Sequence, residues 1–207
     1  LRPGHYKTYS TPFDSFWCCV GTGMENHARY GEFIYFHTGD ELIVNLFIPS
    51  ELDWREKGVK VRLETEFPES DIVRLTFICE RTTELTISVR CPSWLVDLPK
   101  AKLNGAELPA TARPGSYLSI RRTWQTGDVP EVQLPMGLWL ETLPDWGWRA
   151  AILYGPIVLA GDWGPIDQPE PEPTPALVTK GRSVSEWVEI VSEKPLTFRI
   201  KDVGRPQ

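Results

Sequence analysis

The most constraining feature of the sequence is a series of short segments in which apolar and polar residues alternate. From Val59 to Phe67 every second residue is apolar or Thr, and the residues between are Lys, Arg or Glu. This period of two is typical of an antiparallel strand with one face in a core and one in water. Residues 42–48 are apolar on both faces, which predicts a strand that is buried on both sides.

Two further alternating segments, Ile72–Cys79 and Glu84–Cys91, are separated by the turn-like sequence ERTT. This arrangement predicts a β-hairpin. In such a hairpin Cys79 lies near the turn and Cys91 at the far end, roughly 20 Å away at about 3.3 Å per residue. Because a disulfide needs Cα atoms within about 7 Å, we expect both cysteines to remain reduced.

The rest of the chain continues the same pattern. Asn104-Gly105 predicts a two-residue hairpin turn. Short strands without an intervening helical pattern indicate an antiparallel β-sandwich. Further strands are predicted at 117–121, 131–134, within 138–161, at 187–191 and at 196–200.

We therefore predict a mainly β chain with three parts. Residues 1–40 carry a helical end segment, 41–136 form a β-sandwich, and 137–207 begin a second, incomplete β-sandwich. Five prolines between Pro165 and Pro175 predict a stiff, extended connector, which we place at 163–181. The chain begins at Leu1 without a methionine, and we expect it to be a piece of a longer protein.

Charge and hydropathy exclude two classes of partner. The formal net charge is −6, and acidic and basic residues are interleaved rather than gathered into a basic stripe, so nucleic acid is not expected as a partner. No apolar run approaches the roughly 18 residues that cross a bilayer, so we expect no membrane partner. Oligomeric state and cellular compartment are left open.

Six of the nine tryptophans could either form a sugar-stacking surface or pack in a core. Most of the six lie near strand ends or proline-rich turns, where a tryptophan commonly closes a sandwich, and this favours core packing. They are Trp94, Trp124, Trp139, Trp146, Trp148 and Trp163.

The candidate site is the pair Cys18-Cys19. Thr22 and Glu25 fit a capping box, which predicts a helix that starts near Thr22 and places the cysteines just before it. The amides and the dipole at a helix start lower the pKa of a nearby thiol. From the residues alone three interpretations stay open: two small buried hydrophobes, a strained disulfide between neighbours, or a reactive or metal-bound thiolate.

Other polar residues near the pair are assigned structural roles. The capping box accounts for Glu25 without catalysis. His27 and His37 lack a second metal ligand at a supporting spacing, so packed or solvated histidines are favoured. Asp14 and Glu32 are ordinary candidates for polar contacts, and we assign them no role in catalysis.

Residues 15–36, SFWCCVGTGMENHARYGEFIYF, resemble the signature of the β-L-arabinofuranosidases of glycoside hydrolase families 127 and 146. The later motifs RCPSW (90–94), LNG (103–105), LPM (134–136) and LYGPIVLAG (153–161) also lie where that family has its β region. The resemblance implies an (α/α)6 barrel that carries the active site, followed by β-sandwich domains. This chain would hold the last helix of a truncated barrel and the sandwiches after it.

The resemblance also implies a chemistry. Cys18 would be the nucleophile and a zinc ligand, and Cys19 a second ligand of the Zn²⁺, with a Glu and another Cys from earlier in the parent chain completing the site. The implied reaction is retaining hydrolysis of an arabinose-containing oligosaccharide or glycan. The general acid/base glutamate has no matching position here, so we expect this chain alone to be inactive. The alternative is a noncatalytic carbohydrate-binding or scaffolding β module whose cysteine pair is structural.

Overall fold

The computed structural model describes residues 18–109, 111–162 and 177–203. One α-helix, α1, spans Cys18–Arg29, and short 3₁₀ helices span Tyr30–Phe33, Arg55–Lys57 and Val184–Glu186. The strands are β1 (Tyr35–Thr38), β2 (Glu41–Val44), β3 (Ser50–Trp54), β4 (Val59–Thr65), β5 (Ile72–Cys79), β6 (Thr83–Cys91), β7 (Lys100–Leu103), β8 (Ala106–Leu108), β9 (Ser116–Trp124), β10 (Pro130–Gln133), β11 (Leu138–Thr142), β12 (Ala150–Tyr154), β13 (Ile157–Val158), β14 (Val188–Ile190) and β15 (Phe198–Ile200).

Strands β1 to β10 build a sandwich of two sheets. One sheet has the order β1-β2-β6-β9, and the other has the order β3-β4-β5-β10-β7-β8. Neighbouring strands in both sheets are antiparallel, except that β2 and β6 are parallel. The predicted mainly β, antiparallel sandwich class is confirmed.

The sandwich core lies between the two sheets and follows the predicted alternation. In β4, Val59, Val61 and Leu63 are buried while the residues between them are exposed. Phe77 of the six-stranded sheet stacks on Trp124 of the four-stranded sheet, with ring centroids 4.3 Å apart and planes 14° from parallel. Since both side chains are fully buried, this ring pair joins the two layers within the core.

The predicted hairpin of β5 with β6 is wrong. Strand β5 pairs with β4 and β10, whereas β6 pairs with β2 and β9 in the other sheet. Residues 80–82 therefore cross between the layers. The end of β5 instead bonds to the β9–β10 connection, where the Cys79 amide donates to Thr126 Oγ1 at 2.9 Å and the Gly127 amide donates to the Phe77 carbonyl at 2.9 Å. Alternation shows that each strand buries one face, but it does not choose the pairing partner.

Cys79 and Cys91 form no disulfide in the structure. Because the hairpin from which their separation was derived is not formed, the expectation that they stay reduced remains a prediction. The predicted Asn104-Gly105 turn is confirmed. It joins β7 to β8, and both residues have the positive φ that such a turn requires, 51° and 83°. The Asn104 side chain also donates to the buried carboxylate of Asp128 at 2.9 Å, which links this turn to the β9–β10 turn.

A smaller unit follows the sandwich. Strands β11, β12 and β13 form one antiparallel sheet, and β14 and β15 form a two-stranded sheet. Trp187 is buried at their shared core together with two valines, and Phe198 packs against this cluster. The predicted second group of strands is thus present. The domain boundaries remain predictions, and most of the predicted proline-rich connector lies outside the described residues.

The tryptophans divide into two groups. Trp124 is fully buried, as predicted, and Trp94 and Trp139 are half-buried. Core packing is the wrong prediction for Trp146 and Trp148, whose exposed fractions are 44% and 78%. They lie in the connection between β11 and β12. The sixth tryptophan considered, at position 163, lies outside the described residues.

Candidate functional site

The cysteine pair lies within helix α1 rather than before it. Because the helix already includes Cys18, the predicted start near Thr22 is wrong. Thr22 sits inside the helix, where its hydroxyl donates to the carbonyl of Cys18 at 3.4 Å. A Thr side chain can bond back to the carbonyl four residues earlier as well as cap a helix start, and this ambiguity misled the capping-box prediction.

Both candidate thiols are accessible. Cys18 and Cys19 are exposed, and no described residue of α1 is buried. Within this described helix no disulfide joins Cys18 to Cys19. In this structure the pair is therefore exposed rather than packed into a core, and the two cysteines are not joined to each other.

The sandwich anchors this helix through the residues that follow it. Ile34 is buried in the sandwich core, and its carbonyl accepts from the Asn45 amide at 2.8 Å. The Asn45 side chain donates to the Phe33 carbonyl at 3.0 Å. These bonds join the 3₁₀ helix that follows α1 to the sandwich, while the cysteine pair lies in the first turn of α1, at the other end of the helix.

The polar residues near the pair serve local contacts. His27 Nδ1 lies 2.8 Å from the Gly23 carbonyl oxygen, Glu32 pairs with Arg29 at 3.2 Å, and the His37 ring lies 5.2 Å from that of Trp54. Asp14 lies outside the described residues. In the described part of the chain no three His, Cys, Asp or Glu side chains converge where they could hold a metal ion.

The two remaining cysteines lie in the sandwich and are poorly suited to metal binding. Burial raises the pKa of the Cys91 thiol, and this residue is fully buried in β6. Burial also raises the pKa of Cys79, with a smaller contribution from the negative charge of Asp128. Since a metal binds the thiolate, these raised pKa values and the position of both residues in the sheets disfavour them as ligands.

No helix in the described ranges is long and apolar enough to cross a membrane. The sequence analysis set a sugar-stacking role for Trp146 and Trp148 below core packing and did not consider Arg149. In the structure these three residues form an exposed cluster on the β11–β12 connection. The signal that could have found them is the Trp-Gly-Trp-Arg sequence, where two large aromatics and a cation fall within one short turn.

Comparison with protein families gives two matches. A model of the glycoside hydrolase family 127 (GH127) β-L-arabinofuranosidase middle domain matches residues 41–136, and a model of the GH127 catalytic domain matches residues 1–32. The second match includes the cysteine pair. Together the two matches cover more than half of the chain. The search of curated proteins found no significant match.

Solved structures agree with these matches. A GH127 β-L-arabinofuranosidase from Geobacillus stearothermophilus T6 is 30% identical, with a TM-score of 0.60 over 68% of this chain and 23% of that one. A GH127 β-arabinofuranosidase is 28% identical, with a TM-score of 0.52 over 60% of this chain and 23% of that one. A further glycoside hydrolase shares the fold at 21% identity, with a TM-score of 0.64 over 76% of this chain and 28% of that one.

The chain thus spans only about a quarter of the length of these solved relatives, from 23% to 28%. The matches run in the family's order, from the catalytic domain with the cysteine pair on α1 to the middle domain in the sandwich. This chain therefore belongs to the GH127 β-L-arabinofuranosidase family, of which it carries one part.

Proposed function

We propose that this chain is part of a zinc-dependent, retaining β-L-arabinofuranosidase that acts on arabinose-containing glycans. The observation that carries the proposal is the pair of adjacent, exposed cysteines on α1, within the segment that matches the GH127 catalytic domain. The names of the solved relatives support the substrate class.

Cys18 is the nucleophile in this proposal. Its thiolate attacks the anomeric carbon, the glycosidic C–O bond breaks, and a carboxylic acid from the rest of the parent protein protonates the departing oxygen. Water then attacks the same carbon, the C–S bond breaks, and Cys18 regains its thiolate while the carboxylate accepts a proton from the water. Each step inverts the anomeric centre, so the two steps together retain its configuration.

The donor chemistry of the pair fits zinc. Thiolates are preferred zinc ligands, and two sulfurs on one tetrahedral zinc lie about 3.8 Å apart, given Zn–S bonds of about 2.3 Å. Cys18 and Cys19 are adjacent, exposed residues of α1, in which no described residue is buried. Bound zinc would keep the Cys18 thiol ionised at neutral pH. We assign the other two ligands, a Glu and a Cys, to the preceding part of the parent protein.

The chain alone should then lack glycosidase activity and should bind zinc only weakly. A tetrahedral site needs about four ligands, and Cys18 and Cys19 supply two. The leaving group also lacks its acid. Tightly held, stoichiometric zinc in the purified chain, or hydrolysis above background, would contradict this assignment of ligands and acid.

The test uses the complete parent protein, with zinc content measured by elemental analysis and turnover measured on a chromogenic β-L-arabinofuranoside. Cys18→Ser should abolish turnover with little loss of folding. Cys19→Ser should mainly lower the zinc content. Cys79→Ser is the matched control, because this cysteine lies in the sandwich, and it should change neither.

Two results would reject the proposal. Activity of Cys18→Ser comparable to wild type would exclude Cys18 as the nucleophile. A parent protein with neither zinc nor hydrolysis would favour the alternative of a noncatalytic carbohydrate-binding or scaffolding β module.

A further inference from the structure

Trp146 and Trp148 form an exposed aromatic pair between β11 and β12. Their ring centroids are 5.6 Å apart and their planes are 16° from parallel. The exposed fractions of 44% and 78% leave a large part of the indole surface in water, most of it on Trp148. Exposed aromatic surface of this kind is costly to hydrate and is typical of binding sites.

The turn that carries the pair is closed by its own backbone hydrogen bonds. The Leu143 amide donates to the Arg149 carbonyl at 3.0 Å, and the Arg149 amide donates to the Trp146 carbonyl at 2.8 Å. The Trp146 amide in turn donates to the Leu143 carbonyl at 3.2 Å. These bonds fix the backbone at Trp146 and at Arg149, the residue after Trp148, so a ligand would meet a largely preformed surface.

Arg149 adds a cation and hydrogen-bond donors to the aromatic pair. Its guanidinium carbon lies 4.0 Å from the ring centroid of Trp146 and 5.2 Å from that of Trp148, which is the range of cation–π contacts. Among the described residues no carboxylate oxygen lies within 4.0 Å of its side-chain nitrogens. The guanidinium therefore places N–H donors beside an aromatic surface.

The same unit accommodates its other tryptophans differently. Trp187 is 2% exposed in the small core, and the half-buried Trp139 donates from Nε1 to the Gly155 carbonyl at 2.9 Å. Since this small unit can bury or hydrogen-bond tryptophan, the exposure of Trp146 and Trp148 is a local property of the β11–β12 turn. The exposure of these two tryptophans does not arise because the unit is too small to bury a tryptophan.

The combination of indole faces and adjacent donors matches the chemistry of a sugar residue. The C–H face of a sugar ring packs on an indole, and its hydroxyl oxygens accept from a neighbouring guanidinium. We propose that Trp146, Trp148 and Arg149 form a binding site for a neutral polysaccharide chain, distinct from the cysteine pair. This inference rests on the proposed function only for the kind of glycan, an arabinose-containing plant polymer.

The test measures retardation of the parent protein in native gels containing soluble arabinogalactan. It uses the Cys18→Ser background, so that cleavage cannot alter the polymer. The parent should be retarded, and Trp148→Ala should weaken the apparent affinity about tenfold, from loss of one stacking contact. Tyr117→Ala is the matched control, because Tyr117 is an aromatic residue with an exposed fraction of 48% on β9, and it should leave retardation unchanged.

Two further measurements distinguish a second glycan site from an extension of the cysteine site and from a packing surface. In the active parent, Trp148→Ala should leave turnover of a small chromogenic β-L-arabinofuranoside unchanged, because that substrate is too short to reach a second site. Absence of zinc and turnover in the wild type would reject the proposed function without affecting the gel result. No retardation by arabinogalactan, or equal retardation of Trp148→Ala, overturns the site. A lower Tm of Trp148→Ala with equal retardation overturns it as well, since the pair would then pack on the rest of the parent protein.

Discussion

Replacement of Trp124 by Phe tests whether the buried ring pair of Phe77 and Trp124 joins the two sheets of the sandwich. Trp124 is fully buried, stacks on Phe77 at 4.3 Å, and donates from Nε1 to the Leu85 carbonyl at 3.0 Å. Phe retains one aromatic ring for the stack but removes the indole N–H and part of the ring volume. The variant therefore separates the hydrogen bond and the packing from the mere presence of an aromatic residue.

The expected loss of stability follows from these contacts. The hydrogen bond contributes about 1 kcal/mol, and its loss leaves a buried carbonyl with one partner fewer. The change in side-chain volume of about 40 Å³, at about 24 cal/mol per Å³ of cavity, adds about 1 kcal/mol, and the lost apolar burial adds a little more. Trp124→Phe should thus lower the free energy of unfolding by about 2 to 3 kcal/mol.

Urea unfolding of the purified chain, followed by circular dichroism, measures this effect. With a urea dependence of about 2 kcal/mol per M, the midpoint should fall by about 1 M or slightly more. Trp148→Phe is the matched control, because its side chain is 78% exposed, and it should stay within about 0.5 kcal/mol of wild type. A change below about 0.5 kcal/mol for Trp124→Phe, or equal losses in both variants, would refute the assigned core.

Three further predictions concern stability and thiol chemistry. Gly155→Ala should lower Tm, because Gly155 has a φ of 51° and an added Cβ would lie 2.7 Å from Met136 Sδ. The double variant Gly155→Ala with Met136→Ala should recover part of the lost Tm. No recovery would argue against the clash. Burial raises the pKa of Cys91, so above the ordinary thiol value of 9.0 the folded chain keeps a proton that the unfolded chain releases. The free energy of unfolding should therefore fall as pH rises above about 9, and it should fall less steeply in Cys91→Ala; equal slopes would contradict this assignment. In the folded chain, a thiol reagent should modify the exposed Cys18 quickly, whereas Cys91 should react only once the chain is unfolded. Fast labelling of Cys91 in the folded chain would show that it is not buried.

The alternation of apolar and polar residues predicted which side chains of a strand are buried, but not which strands pair. The pattern of β4 identified Val59, Val61 and Leu63 as buried because a period of two assigns each residue to a face. It could not assign β5 and β6 to different sheets. Both strands bury one face, and the choice of partner depends on contacts that are distant in sequence, such as that of Thr126 with Cys79.

The sequence predicted which residues belong to the candidate site, but not how they are arranged. The family resemblance of the segment with the cysteine pair agrees with the match to the GH127 catalytic domain. The start of the helix was predicted wrongly because Thr22 can bond within a helix as well as cap one. The exposure of Trp146 and Trp148 was missed because a tryptophan in a turn gives no sign of whether the turn folds over a core. Among the described residues no three potential metal ligands converge, so the remaining ligands of the proposed zinc site are assigned to the rest of the parent protein.

The most direct test of the central claim is identification of the residue that carries the sugar during turnover. The complete parent would be quenched with acid during hydrolysis of a chromogenic β-L-arabinofuranoside and then digested and mapped by mass spectrometry. We expect a single pentosyl unit on the peptide that contains Cys18, and none in the Cys18→Ser variant. A pentosyl unit on a carboxylate, or turnover with an inverted product and no labelled cysteine, would contradict Cys18 as the nucleophile.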